Sequence, residues 1–423
     1  MQESFLHYIW KNQLFNKRQL QTVAGQPIEI LHSGFHNLHA GPDFKEAKLS
    51  IDGLQWAGAV EIHVKSSDWY AHNHQIDENY DGVVLHVVFE HDKEVLDQHG
   101  NAIPTLLLKG LIKPGVLKRY EALMLQPAKV LCESQLKNVR VITRLSMLER
   151  ALVERVNQKS AMVLALLEQN NGNWDETAYQ WLARGMGFKT NAEQMLCLAQ
   201  SVPIKFINKH HQLRQKEALL FGASGLLNVD LNDSYANGLK EEYLFLKQKY
   251  NLKEGLSYNE WHFARVRPAN YPTIRIPQLA ALLAKHSQLF QLFIEAEDIK
   301  SLQKQLKVET AEYWSAHHRF DATSSRKVNG LSKSSINNLI INVTVPLLGA
   351  YARYTANDTY MEQAVNLLSA IPKEQNSIVK RWQDLGWNVS SAFDSQGLLQ
   401  LHRFYCSERK CIGCNVGAEL IKQ

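Results

Sequence analysis

Residues 41–65 read GPDFKEAKLSIDGLQWAGAVEIHVK. Two runs of alternating apolar residues, Phe44–Ile51 and Leu54–Val64, flank Asp52-Gly53. A two-residue Asp-Gly link between such runs specifies a β-hairpin and fixes its register. Alternate side chains of a strand face one way, so Glu61, His63 and Lys65 share one face of the second strand. Asp43 stands at the open mouth of the first strand, behind Pro42, where its carboxylate can meet Glu61. Two acids with a base beside them are the parts of a centre that holds a hard cation next to a water.

Around this hairpin the chain reads as a mixed sheet. Phe5, Ile9, Trp10, Leu14, Phe15 and Leu20 recur near helical spacing over residues 3–23, and Gly25-Gln26-Pro27 stops them. Further strands are expected at Ile28–Leu31, Gly82–Glu90 and Ile103–Leu108, and a short helix fits between Ser67 and Tyr80. Val83 to Phe89 is almost continuously apolar, as in a strand covered on both faces, which places it at the sheet centre. From about Ile112 the periodicity turns helical, with helices expected over 175–186, 192–201, 212–224, 238–250, 277–285, 336–354 and 361–371. The fold class is α+β: a nuclease-like sheet domain with flanking helices over 1–125, a helical domain over 126–400, and a Cys-rich tail over 401–423.

With 423 residues, 45% hydrophobic and 21% charged, the chain is of ordinary globular composition and long enough for two or three domains. A formal charge of +5 permits nucleic acid as a partner without requiring it. The N-terminus has no basic segment followed by an apolar core, and no stretch reads as a membrane span. A cytoplasmic protein without a membrane partner is expected. Five cysteines are too few for a disulfide framework, and three of them crowd into the tail.

The residues at the hairpin point to hydrolysis of a phosphodiester. Asp43 and Glu61 supply carboxylates for Mg²⁺ or Mn²⁺, the Ile62 carbonyl can complete the set, and His63 or Lys65 prepares the water. The arrangement resembles the PD-(D/E)XK nuclease superfamily: Pro42-Asp43 is the PD element and Glu61-Ile62-His63 fills the place of (D/E)-X-K. The order of elements is similar to that superfamily's αβββαβ core, and Glu3 falls on the first helix, where some members place another acid. His63 departs from the lysine of that pattern, and Lys65 is a displaced substitute on the same face. Two alternatives stand beside this reading. One is a catalytically inactive nucleic-acid-binding or scaffold protein on the same fold, in which Asp43 caps a turn and Glu61 pairs with His63 on a solvated sheet face. The other is a histidine-metal hydrolase of small phosphoesters, because His32, His36, His39, His63, His72, His74, His86 and His91 concentrate in this third of the chain. Of these, His72 and His74 are the pair most suited to ligate, and His86 on its apolar strand reads as a core histidine.

Cys406, Cys411 and Cys414 form a thiolate knuckle that lacks one ligand of a tetrahedral site. Cys132 or His402 can supply it; Cys132 would clip the tail to the end of the sheet domain. Such a set suits Zn²⁺ or a [4Fe-4S] cluster. Cys197, between leucines, reads as a buried apolar residue. Arg265 and Arg267, among Trp261, Phe263 and Tyr271, are read as a proline-punctuated loop. Gly34-Phe35-His36-Asn37, Gly41-Pro42-Asp43-Phe44, Val60-Glu61-Ile62-His63, Asp68-Trp69, Leu85-His86-Val87-Val88, Arg265-Val266-Arg267-Pro268 and the tail cysteines together resemble a family of bacterial proteins, common in Bacteroidetes, known as a domain of unknown function. That resemblance spans essentially the whole chain and implies no established activity.

Overall fold

The computed structural model describes residues 1–37, 39–296, 298–324 and 330–423. Asp52 and Gly53 both take left-handed backbone, φ 53° and 78°, which gives the hairpin turn the twist its strands need. Numbered along the chain, the elements around it are α1 (Glu3–Lys11), β1 (Ile28–His32), β2 (Phe35–His36), β3 (Phe44–Ile51), β4 (Leu54–Lys65), α2 (Asp68–Ala71), β5 (Val83–Glu90), β6 (Thr105–Leu107) and α3 (Pro114–Met124). The sheet runs β1-β3-β4-β5-β6, with β2 also paired to β3. The β1–β3 and β3–β4 pairs are antiparallel, and β4–β5 and β5–β6 are parallel. The sheet is therefore mixed, and β5, hydrogen-bonded on both sides, buries Val83, Leu85, Val87 and Val88.

The hairpin register changes once. Ile51 pairs Leu54 and Ala47 pairs Gly58, but Phe44 pairs Val60, so two β3 residues stand opposite one residue of β4 in a bulge. Glu46, inside the bulge, has φ 59°. Without it the ladder would set Asp43 opposite Ile62; with it Asp43 falls opposite Glu61, and both carboxylates take the same face. Asn37 fixes the approach to β3: its Nδ2 donates to the carbonyls of Ala40 and Pro42, at 3.2 and 3.0 Å, and its N–H donates to the Asp43 carbonyl at 2.7 Å.

The first helix is shorter than its apolar spacing suggested. It ends at Lys11, and left-handed Gln13 and Gln19 bend the chain that follows. Phe15 and Leu20 are buried from irregular chain instead, Phe15 stacked on Trp10 at 5.8 Å. Phe5, Leu6, Ile9 and Trp10 seat α1 in the core, and Phe5 stacks on Tyr120 of α3 at 4.0 Å.

The chain forms two compact units, Met1–Met147 with Leu401–Gln423, and Leu148–Gln400. Where the sequence suggested three segments, the tail is part of the sheet-bearing unit: Tyr8 Oη donates to the Ala418 carbonyl at 3.0 Å, and Arg119 Nε donates to that of Ile421 at 3.0 Å.

The second unit is helical, with helices such as Trp174–Met186, Ala192–Ser201, Leu213–Ala223, Ser234–Tyr250, Pro272–Lys285 and Thr359–Ala370 close to their expected positions. Pro277 lies inside its helix, which starts at Pro272 rather than at Pro277. A small ribbon pairs His317–Arg319 with Ala322–Thr323. Phe221 and Trp314 stack at 5.2 Å in a core shared with Tyr179 and Phe293. Against expectation, Lys333–Thr355 is long and apolar enough by composition to cross a membrane; 72% of its apolar window is buried inside the fold, as in a core helix. Cys197 is exposed rather than buried, on the outer side of the helix Ala192–Ser201.

Candidate metal centre

Asp43 and Glu61 converge, as the bulge dictates. The Asp43 N–H donates to Glu61 Oε2 at 3.0 Å, and the Ile62 N–H donates to Asp43 Oδ2 at 3.0 Å. Glu61 is only 4% exposed, so Glu61 and His63 do not sit on a solvated sheet face. Burial raises the Glu61 pKa above the usual carboxylate range; contact with His74 works against this, and the like charge of Asp43 adds to it.

Helix α1 brings two more donors. Glu3 and His7 are one turn apart and therefore neighbours on its surface. His7 Nε2 lies 3.1 Å from Asp43 Oδ2 and 3.5 Å from Glu3 Oε1, yet it meets neither along the line of a hydrogen bond. Glu3, His7 and Asp43 each offer a ligand atom within 4.8 Å of the others. Burial disfavours the His7 charge, but the two carboxylates outweigh it and raise the pKa to about 9. Among the described residues Asp43 and Glu61 pair with histidines and with no lysine or arginine.

On the other side of Glu61 stand the histidines. His63 is buried on β4; its Nδ1 is 2.9 Å from His86 Nε2 and its Nε2 is 3.2 Å from His72 Nδ1. His63 Nε2 and His74 Nε2 lie 3.5 and 3.4 Å from Glu61 Oε1. Asn73 has left-handed backbone, φ 63°, a conformation asparagine tolerates, and it turns the chain so that His72 and His74 both return to His63. His74 stacks on Tyr80 at 3.7 Å and meets Trp69 edge-on at 5.3 Å. Burial holds the His63 pKa down to about 4. Burial, with His63 beside it, holds His86 well below the usual range.

Lys65 is the expected residue that the structure leaves outside this group. It ends β4 exposed, its N–H donating to Asp68 Oδ2 at 2.9 Å; its side chain makes no hydrogen bond or ion pair with Asp43 or Glu61 among the described residues. The sequence reading missed His7. Its one available signal was the spacing to Glu3 on the first helix.

The four cysteines of the expected clip fall in the same unit. All are free thiols. Burial raises Cys132 to about 12, and Cys414 and Cys411 add to it; burial and the same neighbours, together with Cys132, raise Cys406. Gly417 lets the knuckle close: a Cβ there would stand 2.2 Å from the Cys411 carbonyl oxygen.

No curated protein and no solved structure matches the chain. Residues 3–377 match the family described as "Protein of unknown function (DUF2851)". The matched span holds Glu3, His7, Asp43, Glu61, the histidines of the centre and Cys132, and the three tail cysteines follow it. With nearly its whole length matched, the chain belongs to the DUF2851 family.

Proposed function

We propose that this protein is a metal-dependent phosphodiester hydrolase acting on DNA or RNA. The observation that carries the reading is the bulge-directed meeting of Asp43 and Glu61, joined by Glu3 and His7 of α1. Two carboxylates and an imidazole around one point, Glu3, Asp43 and His7, with the Glu61 carboxylate accepting from the Asp43 N–H beside them, fit a divalent cation such as Mg²⁺ or Mn²⁺. When bound, such a cation bears charge on the phosphate and lowers the pKa of a water. Glu61 and Asp43 hold each other in place through backbone N–H groups, so the pair is oriented before any ligand arrives. To hold the cation, His7 would have to give up its proton. His63, uncharged at neutral pH, does not reproduce the positive charge of a lysine in its place.

The test is cleavage of single- and double-stranded DNA and RNA with Mg²⁺ or Mn²⁺. Parent activity should fall at least roughly 100-fold in Asp43→Asn and in Glu61→Gln, as expected when a cation's ligand is removed. An Asp43→Asn protein as active as the parent would overturn the assignment. The exposed position of Lys65 favours a second reading, a non-catalytic nucleic-acid binder on the same fold. That protein would bind nucleic acid and cleave nothing with any cation.

We also propose that Cys132, Cys406, Cys411 and Cys414 hold Zn²⁺ or a [4Fe-4S] cluster. The burial of Cys132, Cys411 and Cys414, and the way Cys414 raises the pKa of Cys132, Cys406 and Cys411, support it. Protein purified without oxygen should carry iron and sulfide with an absorption band near roughly 400 nm, or else zinc with no such band. Neither metal in stoichiometric amount would reject the clip.

A further inference from the structure

Glu3, His7 and Asp43 form one group of ligand atoms, and Glu61 Oε2 accepts from the Asp43 N–H beside it. That group leaves unexplained why two imidazoles, His63 and His74, crowd the other Glu61 oxygen, with a third, His72, against His63. His63, His72 and His74 each present a ring nitrogen within 4.8 Å of the other two. Glu61 Oε1 lies 3.5 Å from His63 Nε2 and 3.4 Å from His74 Nε2, while Oε2 is held by the Asp43 N–H. We infer that His63, His72, His74 and Glu61 Oε1 form a second metal site, for a borderline divalent ion of the zinc type, so that the centre takes two unlike cations with Glu61 between them.

The ligand chemistry separates the two sites. Three imidazoles with one carboxylate oxygen suit zinc and its neighbours, whereas the carboxylate-rich set suits magnesium or manganese. The surroundings are those of a supported ligand. A metal-binding histidine usually hands its second ring N–H to a fixed acceptor, and His63 Nδ1 has His86 Nε2 at 2.9 Å. The His74 ring is clamped by Tyr80 and Trp69. His72 is exposed, which leaves the site a route for an ion to enter. The competing account is a relay of neutral histidines joined only by hydrogen bonds. In that account His63 Nε2 and His72 Nδ1, 3.2 Å apart, share one proton, and burying such rings brings no ligand with it. A pair of ions flanking one carboxylate would clamp a phosphate oxygen.

The experiment counts metal rather than turnover. Full-length protein is stripped with a chelator, dialysed against Zn²⁺ and analysed for bound zinc, alongside His72→Ala/His74→Ala and Asp43→Asn. The double variant should bind one zinc fewer than the parent, and Asp43→Asn should keep that ion. A folded double variant, shown by unchanged circular dichroism, that binds as much zinc as the parent would overturn the inference. Should the double variant not fold, zinc X-ray absorption of the parent decides: imidazole scattering supports the site, and a shell of sulfur alone, from the tail, refutes it. The inference stands apart from the hydrolytic reading. A protein that binds this zinc and cleaves nothing defeats only that reading; one that cleaves through Asp43 without this zinc defeats only the second site.

Discussion

Glu217 shows what burial does to a carboxyl that has no cation beside it. It is fully buried in the helical unit, accepting hydrogen bonds from Tyr235 Oη and from Trp314 Nε1, the latter at 3.1 Å. Burial raises its pKa from 4.5 to about 7, and the two hydrogen bonds only partly offset this. Between these values the folded chain keeps a proton that the unfolded chain has released, so stability falls as pH rises from 4.5 to about 7 and is level above. A carboxyl so placed costs the folded state roughly 3 kcal/mol once ionised. Glu217→Gln removes the charge, its amide oxygen accepting from Trp314 Nε1 and its NH2 donating to Tyr235 Oη, and should melt several degrees higher than the parent at pH 8 and about equally at pH 5. Equal melting at both values would show that Glu217 is not the group responsible. Asp43 and Glu61 were legible as candidate residues because Pro-Asp at a strand mouth and strand alternation are local signals, but the face they share was set by a bulge that those signals do not contain. His7 was not, because its partner Asp43 lies on another element and one Glu-x-x-x-His spacing on a helix says nothing of what faces it. Lys65 shared the face by alternation, but its strand ends there and leaves the side chain in water.

Among the elements, the β3 bulge decides most. The Asp-Gly turn could be read from the sequence; the extra residue near Glu46 could not, since no residue type there demands it. Glu46 holds φ 59° without being glycine, a conformation that costs an ordinary residue about 1–2 kcal/mol. Glu46→Gly should therefore be neutral or stabilising by about 1 kcal/mol, with Mn²⁺ affinity kept. Glu46→Val, which disfavours this conformation more, should lower both melting temperature and Mn²⁺ affinity, because a ladder without the bulge sets Asp43 opposite Ile62. Thermal melts paired with calorimetric Mn²⁺ titration check this, and unchanged affinity in Glu46→Val would remove the bulge from the argument. Helix α1 carries the same lesson, since its apolar spacing continued past Lys11 while the backbone did not. Spacing records which residues are buried, and irregular chain buries Phe15 and Leu20 equally well.

At the level of the whole molecule, the change from strand to helix periodicity near Ile112 was visible in sequence order. The membership of the tail in the first unit was not, because its contacts join residues from opposite ends of the chain. Removing Leu401–Gln423 takes away the Ala418 and Ile421 acceptors and the buried Val416, Leu420 and Ile421. Each such apolar side chain contributes about 1.5–3 kcal/mol when fully buried. The truncated protein should lose amide-exchange protection in α1 and in the strands that carry Asp43 and Glu61, while the helical unit keeps its own. Retained protection in α1 would mean that the tail does not support it. The insertion of Leu148–Gln400 between the two parts of the first unit also orders events on the ribosome. At ~5–20 residues per second, translation of the roughly 250 intervening residues separates Cys132 from Cys406 by about ten seconds to a minute. During that interval the nascent sheet waits without its last helix, and a chaperone that shields Tyr8 and Arg119 would be competing with the segment that holds Ala418 and Ile421 for the same surface.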